Sequence, residues 1–176
     1  MDRSNRYLRL QAAFSPANGQ FDQPVGYGTA MWRGYFDALY TQAGDYLAQG
    51  RHIWFVAAQE NLLPVLCVKT NRTISIARSV SPSTGDAYGS ATPNATKSVI
   101  SGWPASVLGT HSSDKPPARL PTDISVPSWT ILLPPSVPST VCPGDIITDN
   151  DNSTSVVVAA EFSDLGWRLN ARLVTT

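Results

Sequence analysis

The residues that could do chemistry in this chain are few and lie far apart. There are two histidines, His52 and His111. His52 falls in Arg51-His52-Ile53-Trp54-Phe55-Val56-Ala57-Ala58, a run of strand formers, and so reads as a sheet residue rather than a general base. His111 lies in Gly109-Thr110-His111-Ser112-Ser113-Asp114. A His, a Ser and an Asp so close together look like a nucleophilic triad. Triad members, however, converge from separate rigid elements, and a single loop cannot hold them in attack geometry. There is no Gly-x-Ser-x-Gly elbow, and the stretch from Gly89 to Lys97-Ser98 carries Thr96 where a phosphate loop needs glycine before its lysine. Asp149-Asn150-Asp151-Asn152-Ser153 begins like a calcium loop, yet Thr154 stands at the sharp-turn glycine and Ala160 at the bidentate glutamate. A hairpin tip explains those residues better, because Asn and Asp tolerate left-handed backbone. Cys67, inside Leu62-Leu63-Pro64-Val65-Leu66-Cys67-Val68, reads as a small buried hydrophobe, and Cys142 is too remote to suggest a disulfide framework. No catalytic, cofactor-binding or metal-ligating residue is assigned.

The elements that would position these groups are strands. Alternation marks Thr73-Ile74-Ser75-Ile76-Ala77-Arg78, with both isoleucines on one face, and Trp167-Arg168-Leu169-Asn170-Ala171-Arg172-Leu173-Val174, a half-buried pattern. Further strands are predicted at 51–58, 65–68, 129–133, 145–148 and 155–160. Between 31 and 48 a short helix around Tyr35-Phe36-Asp37-Ala38-Leu39-Tyr40 competes with strand, since Gly34 and Gly44 bracket it and aromatic residues favour sheet. Short strands with frequent Gly and Pro turns predict an all-β chain, a small barrel or a sandwich. Its expected organisation is an N-terminal β unit at 1–78, a flexible linker at 79–97 and a C-terminal β unit at 98–176 with a long loop at 109–127. The linker is nearly all small, polar or turn-forming, and the loop carries Pro116, Pro117, Pro121 and Pro127. Both stretches are expected to be protease-sensitive in the isolated chain, which is expected to be monomeric or weakly associated.

A faint internal echo suggests that the two units are related. Gly44-Asp45 precedes Val56-Ala57-Ala58-Gln59-Glu60, and Gly144-Asp145 precedes Val158-Ala159-Ala160-Glu161. In both places another apolar stretch follows, from Leu63 and from Leu165, so each copy reads as turn, strand, hairpin, strand, bend, strand.

Charge narrows the partners. Thirteen basic and thirteen acidic side chains cancel, which argues against a protein that grips nucleic acid by neutralising phosphates. Local basic excess occurs only at Arg3, Arg6 and Arg9, where Asp2 is the lone acid; these arginines form a solvated terminus or touch an acidic partner or nucleic acid. Charged residues make up only 15% of the chain and hydrophobic ones 42%, a balance suited to surfaces that become buried against partners. The start of the chain leads into no apolar signal-peptide core and no stretch reaches membrane-spanning length, so a soluble protein is expected. The five tryptophans, Trp32, Trp54, Trp103, Trp129 and Trp167, have apolar neighbours and are expected in the core first and in interfaces second.

Three blocks carry a family resemblance: Ile53 to Gln59 with Leu62 to Val68, Asn71-Arg72-Thr73-Ile74-Ser75-Ile76, and Gly144-Asp145-Ile146-Ile147-Thr148-Asp149 followed by Ser155 to Ala160 and Gly166-Trp167-Arg168-Leu169. Together they span about 44–78 and 98–174, and they resemble structural proteins of tailed bacteriophages, in particular the neck proteins that complete the head (stoppers and head–tail connectors). The resemblance implies a small β-barrel or sandwich that forms a homo-oligomeric ring between portal or adaptor and tail, retains the genome and docks the tail. It implies location in the virion neck, portal, adaptor and tail proteins as partners, only non-specific contact with packaged DNA, no membrane, no cofactor and no catalytic residues. Simple stoppers are usually shorter and single-barrelled, so the second β unit leaves collar, tail-terminator and tail-tube roles open. Interface residues expected on this reading are Arg3, Arg6, Arg9, Pro116, Pro117 and Pro121. The competing class is a carbohydrate-binding β module of a tail fibre or adhesin, which would need exposed aromatics such as Trp103 or Trp129 along a groove.

Overall fold

Runs of β-branched and aromatic residues broken by Gly, Pro, Asn and Asp leave little for a helix to use, and the chain folds accordingly. A computed structural model describes residues 8–17, 29–80, 95–109 and 127–174. Among them the strands are β1 (Ala13–Pro16), β2 (Met31–Tyr35), β3 (Tyr46–Gln49), β4 (His52–Ala58), β5 (Val65–Thr70), β6 (Arg72–Val80), β7 (Ala95–Gly109), β8 (Ser128–Leu133), β9 (Ile146–Asp149), β10 (Thr154–Ser163) and β11 (Gly166–Leu173). They make two β units. One is a five-stranded sheet in the order β1-β2-β5-β4-β3, curled into a half-barrel, and the other is a closed barrel in the order β10-β11-β8-β7-β6-β9. Every pairing is antiparallel.

The ambiguous stretch 31–48 resolves as two strands with one 3-10 turn, Ala38–Tyr40, between them. Asp37 caps that turn by accepting the Leu39 N–H at 3.1 Å, and nothing in the turn is buried that could extend it into a helix. Two boundaries differ from the sequence expectation. Residues 72–78, read as part of the N-terminal unit, form β6, which pairs with β7 and β9 and so belongs to the barrel. The ends of the expected linker 79–97 are also strand, since Ser79 pairs with Thr96 and Val80 with Ala95; positions 81–94 lie outside the described residues. Chain adjacency misled here, because strand pairing is settled by contacts distant in sequence.

Period-two alternation places the cores. Ile74 and Ile76 of β6 point into the barrel with Ile131, Leu133, Ile147, Val157 and Leu169, all buried. The half-barrel is apolar on both faces. On one, Phe55, Ala57 and Val68, with Met31, Tyr46 and Leu66, pack against Leu108 and Leu132 on the outside of the barrel. The other gathers Trp54, Val56, Val65 and Cys67 with Phe14, Trp32, Phe36 and Leu47. That explains why β4 reads as a continuous apolar run rather than an alternating one. Polar contacts fix the two units to each other. The Tyr46 hydroxyl donates to the Pro104 carbonyl at 2.7 Å, Ser136 Oγ donates to the Gly44 carbonyl at 2.8 Å, and the Asn71 side chain both donates to the Val107 carbonyl and accepts its N–H.

The internal echo is structural. In the half-barrel the Gly44 N–H donates to Val56 O at 2.8 Å and the Val56 N–H to Asp45 O at 2.9 Å; in the barrel Gly144 and Asp145 make the same two bonds with Val157, at the same lengths. Both glycines are left-handed, at φ +97° and +90°, a conformation costly for any side chain. Each corner aspartate also accepts a backbone N–H three residues earlier, Gln42 for Asp45 and Cys142 for Asp145. Both fourth strands bulge next, between Val56 and Ala58 and between Val157 and Ala159. The equivalence thus runs Val56 to Val157, one residue off the match that the sequence suggests. Strand by strand, β1, β2, β3, β4 and β5 correspond to β7, β8, β9, β10 and β11 in the same order. Registers agree to the residue: Trp32 opposite Cys67 matches Trp129 opposite Ala171, and Phe14 opposite Gly34 matches Val107 opposite Ile131. The chain is two copies of one β design, and β6 is the strand without a counterpart among the described residues.

Candidate functional site: open edges and apolar loop tips

Among the described residues the groups with chemical potential do not converge. His52 is exposed at the start of β4, its ring 5.7 Å from that of Trp54, and His111, Ser112, Ser113 and Asp114 lie outside the described residues. Cys67 is fully buried, and burial pushes its thiol up to about 12, so it stays protonated near neutrality. The Cys142 N–H is committed to Asp145 at 2.8 Å. Residues 149–153 form the β9–β10 hairpin, with Asn152 at φ +59° and the Asp149 carboxylate accepting the N–H groups of Asp151 and Ser153 as well as Arg72. Those are the bonds of a tight turn, as the residue types suggest. Among the described residues no group of three His, Cys, Asp or Glu side chains is placed to share a metal.

A shallow cleft of about 180 Å³ lies where the two units meet, lined by Arg51, Ile53, Thr70, Asn71, Arg72 and Thr73 among others. Most of its polar groups are already bonded within the fold. Thr70 Oγ1 donates to Ile53 O, the Thr73 N–H donates to Asn150 Oδ1, and Arg72 is paired with Asp149 and Asp151. The cleft thus holds a framework rather than a reactive constellation.

The tryptophans serve packing. Trp54 is buried and stacks on Phe14, ring centroids 4.2 Å apart and 1° from parallel. Trp103 and Trp129 are half-buried against the barrel core; Trp103 meets Tyr46 across the junction between units, and Arg72 lies over the Trp129 ring at 5.7 Å. Of the residues expected at interfaces, Arg9 is described and exposed. Arg3, Arg6, Pro116, Pro117 and Pro121 lie outside the described residues.

What the surface offers is apolar loop tips. The link between β4 and β5 exposes Leu62 and Leu63, and the adjoining 3-10 turn exposes Leu39 and Tyr40. Gln59 binds the two loops together, its amide donating to Ala38 O while its carbonyl accepts Thr41 Oγ1. Leu62 is fully exposed and held at φ +70°, a strained conformation for a leucine. Strand β5 begins at Val65, as the sequence predicts, after Pro64. In the barrel the equivalent connection exposes Phe162, the next-to-last residue of β10, and Leu165, in the turn to β11. Both units therefore present large apolar side chains at the same point of their common design. Contiguous exposed apolar residues are a feature that contact surfaces share. The signal in sequence is a pair of leucines set between turn residues, and it is easily read as core.

The corner aspartates differ in one respect. Arg78, from β6, reaches Asp145 with two hydrogen bonds, 2.7 Å from Nε and 2.9 Å from Nη2, and also donates to Thr140 O. Burial alone would raise the Asp145 pKa, but Arg78 and the Cys142 N–H outweigh it and hold the carboxyl below the usual carboxylate range. Asp149 behaves alike: burial raises it, while the Ser153 N–H, Arg72 and the Asp151 N–H bring it down. A carboxylate lowered on folding stabilises the fold above its unfolded pKa, near 4, and loses that contribution as pH falls through its folded value. Urea unfolding is therefore expected to show stability falling below about pH 4. Asp145→Asn should flatten that dependence. An unchanged slope in that variant would remove the special role given to the Arg78 pair.

Searches of protein-family models, curated proteins and solved structures find nothing that matches this chain.

Proposed function

We propose that this chain is a structural subunit of a tailed-phage particle, forming a ring in the neck between portal or adaptor and tail, where it completes the head, retains the genome and receives the tail. The observation that carries this reading is the repeated design: two β units, each with large apolar side chains turned to solvent, while Cys67 is buried, Asp149 is bonded into a turn and the exposed His52 lies on a strand beside Trp54. Such a molecule offers an apolar contact surface on each of its units. A subunit with different contact surfaces on two sides makes heterologous contacts, and these close into a ring when the rotation between copies permits. The resemblance to head-completion proteins supplies the location in the particle, and the low charge density fits surfaces that are covered on assembly.

The test is genetic and biochemical. Particles made without this chain are expected to be heads that leak DNA and lack attached tails, and intact particles should contain the chain in small, fixed copy number. Normal head–tail joining in its absence, with lost adsorption to host cells, would instead indicate a receptor-binding role.

A further inference from the structure

We infer that the half-barrel is completed by the N-terminal arm of a second copy of the chain, residues 1–9, which enters between β1 and β3 as a sixth strand and seats Arg9 on Asp45. The inference deepens the ring reading and relies on it only for the assembly in which the docking occurs.

The barrel shows what is missing. There β6 runs antiparallel to β7 on one side and to β9 on the other, closing the sheet. The matching strands of the half-barrel, β1 and β3, have no strand along their outer edges among the described residues. Unpaired edges of this kind are templates for strand addition. The face that β6 would complete is only partly covered: Phe14, Trp32, Phe36 and Leu47, packed on the buried Trp54, Val56, Val65 and Cys67, remain part-exposed.

Asp45 supplies the charge. It repeats the corner of Asp145, accepting the Gln42 N–H at 2.9 Å as Asp145 accepts that of Cys142. In the barrel the sixth strand brings Arg78 to this carboxylate. A strand entering the half-barrel should therefore bring a base to the same place. Within the chain the local basic excess is at Arg3, Arg6 and Arg9, beside the single acid Asp2. Arg9 follows Tyr7 by two residues, as Arg78 follows the inward-facing Ile76, so an arm placed with Arg9 on Asp45 turns Tyr7 toward the aromatic interior. The arm must come from another copy. A strand beside β1 has to run antiparallel to it, and residues 8–12, which lead into β1, contain no turn that could reverse the chain.

The experiment uses full-length protein with Cys142→Ser, leaving the buried Cys67 in place. One preparation carries Asn5→Cys in the arm and a second, distinguishable in mass, carries Gln49→Cys on β3, the pair that the register of Ile74 opposite Asp149 predicts. Mixed under mild oxidation they should form a disulfide between the two preparations. Asp45→Asn and Arg9→Ala should each reduce its yield about tenfold, the scale of losing one charge-assisted bond, while Arg9→Lys keeps most of it. Circular dichroism and urea midpoints confirm that each variant is folded. A disulfide indifferent to Asp45, no disulfide at all, or one that forms only within a single chain carrying both cysteines, would overturn the inference. The two proposals fail separately: a neck ring without this disulfide removes arm docking alone, and the disulfide without neck localisation removes the ring.

Discussion

Replacing Gly166 with valine is expected to destabilise the barrel by about 2–5 kcal/mol, and with alanine by an amount near the lower end of that range. Gly166 opens β11 at φ +110° and is buried against the end of β8. A Cβ there would overlap the Leu133 carbonyl oxygen and lie 2.9 Å from backbone atoms of both Pro134 and Pro135. These are main-chain atoms of a proline pair, which cannot swing aside as the end of a flexible side chain can. Two costs add: left-handed backbone for a residue with a Cβ, about 1–2 kcal/mol, and overpacking, about 1–3 kcal/mol. Against a total stability of about 5–15 kcal/mol for a typical domain, the loss is large. Urea titration followed by tryptophan fluorescence measures it. A midpoint unchanged by Gly166→Ala would mean that β11 does not make this close approach to β8.

Trp54→Ala should cost about 3–5 kcal/mol, because it empties the centre of the half-barrel. The indole stacks on Phe14 and meets Trp32 edge-on at 6.4 Å, so its removal leaves three elements without their common contact. Trp54→Phe separates packing from hydrogen bonding. Phenylalanine keeps a ring for the stack and discards only an N–H that has no partner among the described residues, so the cost should stay below about 1.5 kcal/mol. Thermal or urea denaturation of both variants checks this. If Trp54→Phe proved as damaging as Trp54→Ala, the indole N–H would have to be bonded in the folded chain.

Residue pattern made much of this fold legible, and the reasons are local. Ile74 and Ile76 announce a strand by alternation, and Trp167 to Leu173 do the same with Arg and Asn turned outward. The repeated Gly-Asp corner was visible because it depends on two residue types that few others can replace, a left-handed glycine and a carboxylate that accepts a backbone N–H. Other elements gave no such signal. β7 passes through Ser101, Gly102 and Pro104, which reads as a loop; the bulge near Gly102, at φ +67°, is what lets the strand accommodate them. β2 contains Gly34, and β1 is only four residues long, too short to show a period. The membership of β6 was hidden for a different reason. A single residue, Asn71, separates it from β5, yet it pairs with strands far along the chain. The exposed tips at Leu62 and Phe162 carry no signal of their own, because hydrophobicity alone does not say which side of a turn faces solvent.

Electron cryomicroscopy of the neck, reconstructed at side-chain resolution, bears most directly on the assembly. The expected result is a closed ring of this chain in which Leu62, Leu63, Phe162 and Leu165 are covered by neighbouring subunits or by the adjoining portal, adaptor or tail proteins. A neck built without this chain, or a ring that leaves those four side chains in solvent, would contradict it.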